Sequence, residues 1–87
     1  MTFNIAIYVS GRIHRMKVTQ VYKAIGIERY EIKGKDKVVV LENDRPAVIR
    51  RGNGEKIKWT VVGGQITDRS ILDRAILEIE RMIGASN

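Results

Sequence analysis

Cysteine is absent from this 87-residue chain, and proline, histidine, tryptophan and phenylalanine occur once each, as Pro46, His14, Trp59 and Phe3. Without cysteine there is no disulfide framework, no zinc-thiolate site and no thiol nucleophile. With a single histidine, any Ser-His-Asp arrangement or imidazole acid/base must use His14. The usual zinc ligand sets are excluded as well. No apolar run approaches the length of a membrane span. Met1 to Val9 has neither a basic leader region nor a small-residue cleavage site, so the expectation is a cytoplasmic protein with no membrane partner. The Gly63-Gly64 step precedes a helical pattern, but no strand-GxGxxG or Walker pattern surrounds it, and Asp68 stands where an anion would bind. It reads as a sharp turn with an acidic cap.

The chain does have charge, and mostly of one sign. Net charge is +6, with 44% apolar and 30% charged residues. That is the composition of a folded domain rather than a disordered tail. The length suits one core, so residues 1–87 are expected to form one domain. Residues 1–63 carry thirteen Lys and Arg against six Asp and Glu, whereas residues 64–87 carry three against four. The basic excess therefore belongs to the first two thirds of the chain.

That part is strand-like. Phe3, Ile5, Ile7 and Val9 alternate with Asn4, Ala6, Tyr8 and Ser10, a period of two. Ser10-Gly11 is a turn signal. A two-residue loop there pairs Ile7 with His14, Ile5 with Met16 and Phe3 with Val18, which puts the apolar residues on one face. Residues 19–26 fit a strand or a helix, with the balance towards a continuing strand or an irregular connector. Strands are expected at 29–33, 37–41, 47–51 and 56–62. Glu42 to Pro46 has loop chemistry. Asn53-Gly54 is the strongest hairpin signal, and it would set Trp59 opposite Val48. Gly63-Gly64 then breaks the sheet, and Thr67 or Asp68 can cap a helix. Ile71, Leu72, Ala75, Ile76, Ile79, Met82 and Ile83 form one stripe at helical spacing, and Gly84 suits the position after the helix. The expected fold is α+β: a mainly antiparallel sheet of about five to six short strands, with one C-terminal amphipathic helix on one face.

Strands at 29–33, 37–41, 47–51 and 56–62 followed by one helix give a ββββα order. In topology alone, that order resembles the repeats of Whirly-like and Pur-alpha-like proteins. The resemblance implies single-stranded nucleic acid as a partner.

Few residues suggest chemistry. Asp36, Glu42 and Asp44 lie among Lys35, Lys37 and Arg45, which compete for their carboxylates, so they read as solvated turn acids. No cofactor or metal is expected. The basic residues have more content. Arg12, Arg15, Lys17 and Lys23 occur with no acid between positions 10 and 27. Arg45, Arg50, Arg51, Lys56 and Lys58 gather around Asn53-Gly54, and Lys33, Lys35 and Lys37 flank another turn. Arg15 and Lys17 share a strand face, and so would Lys56 and Lys58. A sheet with its apolar face under the helix would leave a basic face open to phosphates. Tyr8 shares that face with Arg15, and Tyr22 and Tyr30 are further candidates for exposed rings. The expected function is a non-enzymatic binding domain that takes nucleic acid, single strands first, through Arg15, Lys17, Arg50, Arg51, Lys56 and Lys58. The alternative is a protein-interaction module, a homodimer for example. Uncovered sheet edges favour it, as does Leu77, which lies opposite the helix's apolar stripe.

Overall fold

The computed structural model describes residues 1–66 and 68–84. Five strands form one antiparallel sheet in the order of the chain: β1 (Thr2–Val9), β2 (Arg12–Lys23), β3 (Glu28–Lys33), β4 (Val38–Asn43) and β5 (Trp59–Gly64). A short helix, α1 (Arg45–Arg51), lies between β4 and β5, and α2 (Arg69–Met82) follows β5. The fold is the expected α+β class. Among the described residues no helix is long and apolar enough to cross a membrane.

The first hairpin has the register its hydrophobic pattern dictates. Ile7 pairs with His14, Ile5 with Met16 and Phe3 with Val18. A one-residue slip would send Ile5, Ile7 and Val9 to the solvent side, so burial fixes the pairing. β2 continues to Lys23, so the ambiguous segment is strand as far as Lys23, and residues 24–26 belong to the loop before β3. An irregularity between Gln20 and Tyr22 re-aims its last residues. Ile5, Ile7, Val9, Val18, Tyr30, Ile32, Val39 and Leu41 then form one buried face, covered by Leu72, Ala75 and Ile79 of α2. The Asp68 side chain caps α2 by accepting the Ser70 N–H at 2.9 Å. Thr67, the other candidate cap, lies outside the described residues. Gly84 follows the helix with φ 71°, the left-handed conformation that suits glycine there.

Four expectations around residues 44–64 are corrected. Residues 47–51 are not a strand but lie in α1. Asn43 Oδ1 accepts the Arg45 N–H at 2.9 Å. Pro46 occupies the first turn, where no N–H is needed and its fixed φ is already helical. Gly52, with φ 64°, closes the helix by donating its N–H to the Val48 carbonyl at 3.1 Å. Ala47-Val48-Ile49 is too short for periodicity to tell helix from strand. Consequently Asn53-Gly54 is not a hairpin turn, and Trp59 pairs with Asn43 rather than Val48. Lys56 and Lys58 precede β5 and share no sheet face. Gly63 and Gly64 do not break the sheet; they end β5, opposite Val40 and Val39. Gly64 has φ 72°, and a Cβ there would overlap the Val38 carbonyl oxygen, so glycine is what allows the strand to approach.

The sheet, α1 and α2 meet at a buried polar cluster that sequence periodicity does not reveal. Glu28 is fully buried. Arg45 Nη1 lies 3.3 and 3.4 Å from its two carboxylate oxygens, and Arg45 Nη2 donates to the Ile83 carbonyl at 3.1 Å. Gln20 Nε2 donates to Glu28 at 3.1 Å and to the Tyr30 hydroxyl at 3.3 Å. Trp59 stands beside Tyr30, ring centroids 6.1 Å apart, and its Nε1 donates to Glu80 of α2 at 3.0 Å. One arginine therefore joins β3, α1 and the end of α2.

Removing one member of a buried ion pair strands the other charge, at a typical cost of about 3–5 kcal/mol. Arg45→Met should lower stability by that order in denaturant titration, and adding Glu28→Gln should recover a large part of it. Tyr30 supplies a pH test. Burial, and then the Glu28 charge, pushes its phenol up to about 12 from 10.0. The folded state thus holds the phenol proton more tightly than the unfolded chain does. The associated stability, about 2–3 kcal/mol, should be complete below pH 10 and lost as pH rises towards 12. Comparing wild type with Tyr30→Phe over that range isolates this loss, because the variant lacks the titrating group.

Candidate nucleic-acid interface

In a sheet, side chains alternate between faces, so the face away from α2 follows from the register. Thr2, Asn4, Ala6 and Tyr8 of β1 lie on it, with Ile13, Arg15, Lys17 and Thr19 opposite them on β2. Lys33 of β3 is directly across from Lys17, and Glu31 from Thr19. The row Asn4–Lys17–Lys33 therefore crosses three strands, beside the pair Ala6–Arg15. Lys35 in the β3–β4 turn completes the group. Asn4, Ala6, Arg15, Lys17, Lys33 and Lys35 border one open depression of about 570 Å3.

Lys17 and Lys33 are like charges in direct cross-strand opposition, an arrangement that costs stability. Lys33 Nζ is offset in part by Glu31, 3.6 Å away on the same strand. Arg15, Lys17 and Lys35 make no ion pair among the described residues. The small uncharged side chains of Asn4 and Ala6 leave room above β1. Four exposed cations thus surround a shallow floor.

The six basic residues expected from the sequence do not come together as one patch. Arg15 and Lys17 lie in the depression. Arg50 and Arg51 lie in the last turn of α1, where cations suit the helix dipole. Arg50 Nη1 donates to the Ile25 carbonyl at 3.3 Å, and Arg51 pairs with Glu55 at 3.0 Å. The Arg51 and Asn53 contacts hold the Glu55 carboxyl below its usual range, with Asn53 the larger influence. Lys56 and Lys58 are exposed in the loop before β5, where the Lys58 backbone N–H donates to Asp44 at 2.8 Å. This second group lies beside the β2–β3 loop. The depression lies at the opposite end of β3, beside the β3–β4 turn. Arg45, expected in the basic group, is spent on Glu28.

Sequence reasoning missed Lys33 and Lys35 as members of the site. Their nearness to Arg15 and Lys17 depends on the β2–β3 register, which no tight-turn motif specifies. Of the candidate aromatics, Tyr8 is exposed on the expected face. Tyr22 is half-exposed under the Arg29 guanidinium, 5.1 Å from its ring centre. Tyr30 is buried and cannot serve. His14 sits opposite Ile7 on the α2 side of the sheet. Glu42 pairs with Arg29 at 2.9 Å, and Asp44 accepts the Lys58 N–H, so the turn acids do not converge. Leu77 faces solvent as its position on α2 implies, with Asp73, Arg74 and Arg81 around it.

Comparison with protein-family models, with curated proteins and with solved structures gives no match. The topological resemblance to Whirly-like and Pur-alpha-like repeats also loses its basis, because the third of the four strands it needed is α1.

Because Lys17 and Lys33 oppose each other, Lys17→Glu should stabilise the fold by about 0.2–1 kcal/mol in dilute buffer. The gain should shrink in concentrated salt, where exposed charges are screened. Thermal unfolding at two ionic strengths reads both.

Proposed function

We propose that this protein is a non-enzymatic binding domain that takes nucleic acid, single strands first, on the sheet face opposite α2. The observation that carries the reading is the convergence of Arg15, Lys17, Lys33 and Lys35 on one depression with no acid among its lining residues. A phosphate chain supplies the negative charge that the Lys17–Lys33 opposition lacks, and it releases its own counterions on binding. Arg50, Arg51, Lys56 and Lys58 form a separate basic group that only a longer ligand reaches. Arg51 contributes least there, since Glu55 already neutralises it.

Binding of a short single-stranded oligonucleotide, followed by fluorescence anisotropy, should weaken steeply with salt. If each of the four cations meets one phosphate, the log–log slope is about −3. Arg15→Glu with Lys17→Glu should abolish binding at moderate salt, whereas Arg50→Glu with Lys58→Glu should change it little. No binding in dilute buffer, or equal effects of the two double variants, would reject the assignment.

A further inference from the structure

Beside the basic depression, the same sheet face carries an uncharged cross-strand pair. Tyr8 and Ile13 are cross-strand partners next to the basic depression, and they are 62% and 59% exposed. The backbone bonds make them close. Gln20 N–H donates to the Met1 carbonyl at 2.9 Å, so Met1–Gln20 is a hydrogen-bonded pair. Alternation along an antiparallel ladder makes Thr2–Thr19, Asn4–Lys17, Ala6–Arg15 and Tyr8–Ile13 the non-hydrogen-bonded pairs, the type with side chains nearest each other. Among the described residues Tyr8 has no hydrogen bond, no aromatic neighbour and no cation on its ring. The neighbour two residues along β1 is Ala6, which has no bulk to cover the ring. Arg15 is the diagonal neighbour of Tyr8, about 7–8 Å away between Cα atoms. Lys17 follows at the next residue on that face, about 6.8 Å further along β2.

We infer that Tyr8, backed by Ile13, is a stacking platform for a nucleobase, and that the site therefore takes single-stranded rather than duplex nucleic acid. This inference rests on the nucleic-acid reading above and deepens it. The physical reason is the order of groups along the face: an open aromatic ring, then Arg15, then Lys17 with Lys33 and Lys35. A chain whose phosphates follow the cations can lay an unpaired base on the ring at their end. In a duplex the base faces are already stacked, so the ring gains nothing from it. Base-on-aromatic stacking also explains how an exposed Tyr–Ile pair can serve a ligand that the cations alone would hold without regard to its bases.

The competing account is that Tyr8 only braces the hairpin through its contact with Ile13. The experiment must therefore separate binding from folding. Affinities for oligothymidylate and for inorganic polyphosphate, which has charge but no bases, are measured with wild type, Tyr8→Ala and Tyr8→Phe, and thermal unfolding of each is recorded. Tyr8→Ala should weaken oligothymidylate binding about tenfold or more. It should leave polyphosphate binding unchanged, and Tyr8→Phe should restore the loss. Wild type should bind the single strand more tightly than a duplex of the same length. Equal losses on both ligands, or no loss on oligothymidylate, would overturn the stacking role while leaving the charge-based reading intact. Failure of wild type to bind either ligand in dilute buffer would overturn both.

Discussion

Everything at one end of the molecule depends on the buried contact between Arg45 and Glu28. A carboxylate with no solvent exposure is tolerable only if its charge is met, and Arg45 is the cation that meets it. The same guanidinium holds the Ile83 carbonyl at the end of α2, and its backbone N–H is held by Asn43. α1 is thus fixed by its first residue, and α2 by its last turn. The apolar interface between Leu72, Ala75, Ile79 and the sheet supplies most of the burial, but hydrophobic contact has no direction. The polar cluster adds direction: it ties the start of α1 and the end of α2 to β3.

Where burial alternates, the sequence was readable. Phe3 to Val9 and Ile13 to Val18 gave the first hairpin and its register, because a slip would expose three buried side chains. Ile71 to Ile83 gave α2 and its inner face for the same reason. Legibility failed where local chemistry had two solutions. Ala47-Val48-Ile49 satisfies a strand or one side of a short helix, and Asn43, Pro46 and Gly52 decided for the helix. Gly63-Gly64 looked like punctuation, but the close approach of Val38 and Val39 needs the missing side chain. Of the candidate site residues, Arg15 and Lys17 stood where alternation placed them. Lys33 and Lys35 could not be assigned to them without the β2–β3 register. Arg45 was unreadable for another reason: nothing local distinguishes an arginine that pairs with a carboxylate seventeen residues earlier from one in water.

The two faces of the sheet are built to opposite rules. Under α2, the buried Arg45–Glu28 pair is hydrogen-bonded on several sides. On the other face, Lys17 and Lys33 oppose each other, and Tyr8 and Ile13 remain in water. Folding alone rewards neither arrangement.

The strand order β1-β2-β3-β4-β5 has a consequence for how the chain assembles. Each strand pairs only with its neighbours in sequence, so the sheet can zip up from successive local closures, each with a modest loop-entropy cost. The one long closure is the docking of α2 near β1, which joins the last element of the chain to the first. Until that happens, Ile5, Ile7 and Val9 have no cover. Synthesis of this polypeptide therefore passes through a stage at which all five strands have been made yet their greasy side is bare, because α2 follows β5 in the chain.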